Sequence, residues 1–494
     1  MSALLIGLLV VPLLGAVAGF VLGGRAGRIA ATVAAALTLA AVVPLAFDRG
    51  AGMWHEVDAA WLPDLGIRFH LGVDGVSYPL VVLTALLTLL CCAYTLWRPA
   101  GEGPDTARLS ALLLAIEVGL MGVFTGLDLI VFFIAFEVVL LPMYAVIAGW
   151  GGPDRQRAAR KFALYTLSGS VLLLIGVLGI GLRAGSFDIV TLTQHPTLTR
   201  GTQIALFAVV AVAFAVKAPL WPLHTWLPDA HTEAPTVGSV ILAGVLLKMG
   251  TYGLIRVGLG VLPEGARAVA PVLGVLAVAA IIIGSLVCLA QSELKRLIAY
   301  SSVGHMGFVL LGIAAGATSG GLAHSTGVQA ALLGNVAHGV ITGLLFFLAG
   351  AIKDRTHTGW LDDLGGLRES SPAMAGVLGF AALASLGLPG LAGFWGEAFA
   401  VVASVQLGHG WIALGAIAAV GGALTAAYLL RLLRRVAHGP ATSAVTGIAA
   451  VSRAERWAWA PLVLLALLLG VVPALVSEVA AHSLQADEIE AVTR

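Results

Sequence analysis

Runs of about 20 apolar residues alternate with short polar breaks from one end of this chain to the other. A helix rising 1.5 Å per residue needs about that many to cross the hydrocarbon core of a bilayer. Read run by run, the pattern predicts about fourteen spans: 2–22, 29–47, 76–97, 108–125, 127–149, 161–182, 203–227, 236–257, 268–290, 297–317, 328–352, 372–403, 411–431 and 457–478. Only Gly126, Leu127 and Asp128 separate the fourth from the fifth. The longest polar stretch, Asp48 to Ser77, carries Trp54, Trp61 and Pro63 and reads as an extracytoplasmic cap at the interface. Asp154 to Lys161 reads as a short basic helix turn at the cytoplasmic surface between the fifth and sixth spans. The predicted fold class is an all-α polytopic membrane protein.

Composition agrees. Hydrophobic residues make up 59% of the 494 and charged residues only 11%, against about 25% in an ordinary soluble domain. That balance excludes a soluble enzyme, a nucleic-acid binder and a disordered scaffold. The first run has no basic segment before it and reads as a retained helix, not a cleaved signal. Cys91, Cys92 and Cys288 lie inside apolar runs without CxxC or Cys/His spacing, so they read as buried hydrophobes. Of the 27 Lys and Arg residues, eighteen follow odd-numbered spans and seven lie on the opposite face. The positive-inside rule then puts the first group in the cytoplasm and both termini outside.

Charges amid hydrocarbon change the picture most. An ionisable group at mid-bilayer costs several kcal/mol unless paired or hydrated, which makes each a functional candidate. Glu137 lies about ten residues into the fifth span, Lys217 about fourteen into the seventh and Lys248 about twelve into the eighth, too deep to snorkel. A structural Glu–Lys pair would account for two of them and leave Lys248 needing a counter-ion. Glu397 follows a break in the twelfth span. Glu117, in the fourth, is either functional or a neutral carboxyl bonded to a neighbouring helix. Histidine titrates near neutral pH. His305 and His338, with Ser301, Ser302, Asn335 and Thr342, give the tenth and eleventh spans a polar seam that reads as a proton relay or a structural network. His224 and His231 flank the cytoplasmic end of the seventh span.

Two spans carry internal breaks: Pro219 and Pro222 in the seventh, and Gly387, Pro389 and Gly390 in the twelfth. Irregular backbone at this depth is tolerated only inside protein or beside a wet cavity, and paired interruptions point to a transporter built from repeats. Because the breaks are five spans apart, one runs inward and the other outward, as an inverted repeat requires. The expected division is 1–107, three helices with the cap; 108–257, a first five-helix repeat (spans four to eight); 268–435, its inverted partner (spans nine to thirteen); and 436–494, a C-terminal helix.

The stretch KAPLWPLHTWLPDAHTEAPTVGSVILAGVLLKMGTYGLIR, beginning at Lys217, resembles the antiporter-like membrane chains of proton-pumping NADH:quinone oxidoreductase, respiratory complex I, a family related to Mrp cation/proton antiporters. FFIAFEVVLLPMYAVIAGWGG around Glu137, SELKRLIAYSSVGHMGFV around His305 and GLPGLAGFWGE around Glu397 carry the same resemblance, which covers about 108 to 405. Within the family it is nearest the chain M branch, where a glutamate stands in the broken twelfth helix and chains L and N carry lysine.

The resemblance implies a multi-pass subunit of a translocase in a bacterial plasma membrane. It implies that protons move from cytoplasm to outside along Glu137, Lys217, Lys248, His338, His305 and Glu397. The chain has no GxGxxG after a strand and no cysteine ligand set, so NADH, FMN, iron–sulfur clusters and quinone are expected on partner chains. Expected partners are the lipid bilayer and other membrane chains, with chains L and N on either side, and no nucleic acid. Two rival readings are a subunit of a Na⁺/H⁺ antiporter and a membrane scaffold that conducts nothing.

Overall fold

In lipid every backbone N–H and C=O must find its partner within its own segment, and helices are how this chain does so. The computed structural model describes residues 2–47, 52–98, 105–318 and 322–480. Thirteen helices among them are long and apolar enough to cross a membrane: Ser2–Leu22, Gly24–Ala46, Tyr78–Trp97, Thr106–Thr125, Leu129–Trp150, Arg155–Ala184, Arg200–Lys217, Thr236–Leu259, Pro263–Ala290, Leu294–Thr318, His324–Thr356, His409–Val436 and Arg453–Val471. The predicted twelfth span is a pair, Pro372–Ser385 and Gly393–Leu407, which completes the fourteen.

Two boundaries differ from expectation. The basic segment predicted as a separate surface helix turn is helical but continuous with the sixth helix, and its Lys161 has a partner in Asp229. The seventh helix stops at Lys217 and does not run on to 227.

Burial sorts the helices. Some 94% of the most apolar stretch is buried in the eighth and eleventh spans and 89% in the tenth, against 33% in the first, second and thirteenth. The eighth, tenth and eleventh helices therefore lie at the centre, with the fourth (78%) and third (67%) also largely enclosed. Small residues set the close crossings. A methyl group on Gly396 of the twelfth helix would meet Gly334 Cα of the eleventh at 2.5 Å, so the two backbones touch there.

The polar stretch before the third span forms a structure the hydropathy reading did not foresee, a β-hairpin. Strand β1 (His55–Leu62) pairs antiparallel with β2 (Ile67–Val73), and Gly66 turns the chain at φ 67°. The hairpin explains the three-residue gap between the fourth and fifth spans. Leu127 N donates to His70 O at 2.9 Å and Ile189 N to Leu127 O at 2.7 Å, so Gly126–Asp128 lies like a short strand between β2 and residues 187–189. Asp128 then caps the fifth helix, accepting from Ile130 N at 2.8 Å.

His70 Nδ1 donates to Asp188 Oδ2 at 2.5 Å, a side-chain tie under the same junction. Burial works to lower the His70 pKa, but the bond and charge of Asp188, with Asp58 and Glu56 behind it, outweigh burial and hold it above the ordinary 6.5. Burial likewise pushes Asp188 up, and bonds from His70 and Thr191 more than reverse that, leaving it below the ordinary 3.8. The raised histidine stabilises fully below pH 6.5 and loses its contribution as pH climbs through its folded value. The depressed aspartate stabilises above pH 3.8 and fails as pH falls through its own. Amide exchange at Leu127 and Ile189, corrected for intrinsic rate, should therefore be faster at pH 9 than at pH 6. His70→Gln should flatten that dependence; equal protection at both pH values in the native chain would refute the tie.

Candidate functional site

Each helix break sets a charge against a helix end of opposite sign. Proline at 219 and 222 supplies no N–H, so the carbonyls ending the seventh helix have no helical successors. Lys217 is the last residue of that helix and sits in its negative end. The chain resumes as the short helix Trp226–Glu233, tied back by Trp226 Nε1 donating to Val216 O at 3.0 Å. In the twelfth span Gly387 (φ 78°) and Gly390 (φ 90°) turn the chain through a region that costs other residues strain. The second half then begins at Gly393, with Glu397 close to its positive N-terminal end. Glu397 lies over the break itself: a methyl group on Gly387 would stand 3.1 Å from Glu397 Oε2.

Between the breaks runs a buried polar chain. Lys248 is fully buried, and its eighth helix has two π-helical stretches, Leu242–Leu246 and Leu254–Leu259, on either side of it. Lys248 Nζ donates to Ala243 O at 2.6 Å and to His338 Nδ1 at 2.7 Å. When Lys248 is protonated its ammonium has no lone pair, so Nδ1 then accepts and the ring proton of a neutral His338 sits on Nε2. The His338 and His305 rings stand edge to face, centroids 5.8 Å apart. His305 Nδ1 bonds Glu397 Oε1 at 2.9 Å, and Nε2 bonds Ser385 Oγ at 3.0 Å. A cavity of about 20 Å³ is lined by His305, His338, Thr342, Ser385 and Glu397. That is room for one water, enough to bridge the two imidazoles. Thr251 Oγ1 donates to Asn335 Oδ1 at 2.9 Å alongside.

The other candidates stand apart from that chain. Lys217 Nζ has no hydrogen-bond partner among the described residues and lies in an aromatic box, 5.0 Å from the Phe136 centroid and 5.9 Å from that of Phe162. Ring faces offset part of the cost of burying a cation. Glu137 is half-buried beside a turn at Val139, where Pro142 removes the donor that Val138 O would use. Among the described residues no ion pair joins Glu137 to Lys217. Glu117 is fully buried and neither of its oxygens has a protein partner. His224 and His231, expected at the end of a continuous seventh helix, lie in and beyond the break. Both are buried, and the His231 ring stacks on Phe346 at 4.6 Å.

The segment joining Lys217 to Lys248 is anchored on one face. Asp229 of its short helix pairs with Lys161 at 2.7 Å and Arg296 at 3.3 Å, and Lys295 Nζ donates to Ala234 O at 2.8 Å. A cavity of about 680 Å³ opens beside it, lined by Arg98, Glu233, Lys295, Lys353 and Asp354 among others. This basic face is opposite the hairpin face.

Several participants escaped the sequence reading. Ser385 was an isolated serine in an apolar run, and only its position just before GLPG marked it. Phe136 and Phe162 were indistinguishable from core aromatics. Among the described residues no group of three or more His, Cys, Asp or Glu could hold a metal ion.

Broken helices carrying a buried line of titratable groups define a membrane protein of the antiporter-like class. Residues 126–425 match the family described as NADH:quinone oxidoreductase/Mrp antiporter, TM, and the chain belongs to it. Subunit M of the NADH-quinone oxidoreductase of Rhodobacter capsulatus is 42% identical over 440 residues, covering 86% of this chain and 83% of the relative. A subunit M from Rickettsia conorii is 38% identical over 86% of this chain and 84% of its own length. Among solved structures, a chain of respiratory complex I from Thermus thermophilus with bound NADH superposes with a TM-score of 0.87 at 30% identity, each chain 99% covered. A chain of the Mrp complex from Dietzia shares the fold, with a TM-score of 0.84 at 24% identity. The chain is thus an antiporter-like membrane subunit of the complex I kind, similar to subunit M.

Proposed function

We propose that this chain carries protons across a bacterial plasma membrane as one subunit of an NADH:quinone oxidoreductase, through the line Glu137, Lys217, Lys248, His338, His305, Glu397. The observation that supports it most is a pair of bonded links, Lys248 to His338 and His305 to Glu397, which lead from the eighth helix to the broken twelfth within an apolar interior. Each member accepts or releases a proton, and one water-sized gap lies between the imidazoles. The basic face is the cytoplasmic side, by the excess of Lys and Arg there, and both termini lie outside. Uptake is from that face, release from the hairpin face. The division into inverted repeats over 108–257 and 268–435 gives each half one break and one entrance.

Lys217 acts as the gate. Its Nζ has no hydrogen-bond partner in its aromatic box, and Glu137, on the neighbouring kinked helix, is the carboxylate whose approach would favour its charged form. Redox chemistry belongs to partner chains that hold NADH, FMN, iron–sulfur clusters and quinone, with chains L and N as the flanking neighbours. The relatives' names favour this reading over cation exchange. The test is proton pumping by the whole complex in vesicles, carrying Glu137→Gln or Lys217→Ala. Assembled complex that still reduces quinone should pump at most about a tenth as many protons through this subunit's share. Unchanged pumping would reject the assignment.

A further inference from the structure

The line just described turns sideways at Lys248. Nothing in a chain of hydrogen bonds alone obliges a proton to turn, because the eighth helix continues from Lys248 to the hairpin face. What lies on that direct route is Arg256. Its Nη2 meets Asp74 Oδ2 at 2.5 Å, its Nε donates to Tyr252 Oη at 3.1 Å, and its guanidinium carbon stands 5.5 Å from the Tyr252 ring centre.

Every part of this assembly is itself held. Asp74 Oδ1 accepts from Val76 N at 3.1 Å and Ser77 N at 2.8 Å, where β2 gives way to the third span. Tyr252 is fully buried, its hydroxyl donating to Phe124 O at 3.1 Å and its ring edge-on to Phe124 at 5.3 Å. Tyr252 lies one helical turn from Lys248 and Arg256 one turn further, so the three follow one another along one face. The Arg256 side chain is only 13% exposed and that of Asp74 5%.

We propose that Arg256, clamped by Asp74 and Tyr252, is a fixed-charge plug that keeps protons on Lys248 from leaving directly at the hairpin face and so commits them to His338 and the second half of the chain. The inference rests on the relay reading above. A guanidinium cannot give up its proton in a protein, so it is no relay member; it only repels a mobile cation, most strongly where little water screens it. Fixed arginines bar protons from water-conducting pores by the same physics. Asp74 would offer a landing site beyond the plug, but three donors already occupy its oxygens. The clamp also fixes where the charge stands, which a free arginine at a helix end would not do.

The test uses the whole complex reconstituted in vesicles, with an imposed pH gradient and no NADH. Arg256→Gln should make the gradient decay several-fold faster than the native complex allows. Arg256→Lys keeps the charge but, like Lys248, can release its proton, so it should leave part of the leak in place. The leak should vanish in the double variant Arg256→Gln with Lys248→Ala, because its protons pass through Lys248. Native tightness of Arg256→Gln in assembled complex would overturn the plug. So would a leak that survives loss of Lys248, since that describes a merely loosened structure. Failure of the relay reading is separately visible: Lys248→Ala alone would then leave pumping intact.

Discussion

Complex carrying Lys248→Ala should assemble, reduce quinone and lose pumping through this subunit by a factor of about ten or more. The substitution removes the titratable side chain of the eighth helix that is bonded to His338 in the second half of the chain. His338 Nδ1 would lose its donor, and no other buried base stands within hydrogen-bond reach to replace it among the described residues. Lys248→Arg sharpens the test. It keeps a cation and N–H groups at the same place, so a structural strut would be largely preserved. It does not keep transferability, because the guanidinium never releases its proton. A relay predicts that arginine fails nearly as badly as alanine, measured as protons pumped per electron at matched assembly. Rescue by arginine would make Lys248 a strut and end the relay reading.

The second large effect is structural. Glu455 is 1% exposed and binds Arg355 through two contacts, at 2.6 and 2.7 Å, and Arg98 at 3.1 Å. It also closes a capping box with Ser452 at the start of the fourteenth helix, Oε2 accepting from Ser452 N at 2.8 Å. Glu455→Ala would leave Arg355 buried without its counter-ion, a loss of about 3–5 kcal/mol, and remove a cap worth about 1 kcal/mol. The fourteenth helix holds the twelfth-span break: Ala392 N donates to Ala466 O at 2.9 Å and Trp395 Nε1 to Gly470 O at 2.8 Å. The expected outcome is an apparent melting temperature lower by several degrees in detergent, with reduced yield of assembled complex. A melting curve superimposable on that of the native complex would show that the network is dispensable.

Helix number and the two breaks were legible in the sequence because their causes are local. Hydrocarbon thickness sets run length, proline removes a donor wherever it stands, and glycine permits positive φ. Lys217, Lys248 and Glu397 were legible for the same reason, since a charge in an apolar run is conspicuous. The hairpin was not, because seven or eight residues of modest alternation, HEVDAAWL and IRFHLGV, carry too little signal beside twenty-residue runs. The end of the seventh helix was overextended for a different reason: WPLHTWLP stays apolar through a region where the backbone has already left the helix. Partnership was least legible of all. That His305 reaches Glu397 and Ser385, or that Arg256 meets Asp74 across 182 positions, depends on which helices lie side by side, and hydropathy is blind to that.

Gly334 and Gly396 bring the eleventh and twelfth backbones into contact one residue before Glu397. A methyl group on Gly396 would have no flexible side chain to displace, only the main chain of Gly334 and Ala330, and would wedge the pair apart. The carboxylate would then be carried away from its imidazole by a change that alters no ionisable group. The fidelity of proton traffic in this subunit is therefore vulnerable at residues with no chemistry of their own, and an inventory confined to acids and bases would pass over the hinge on which their spacing turns.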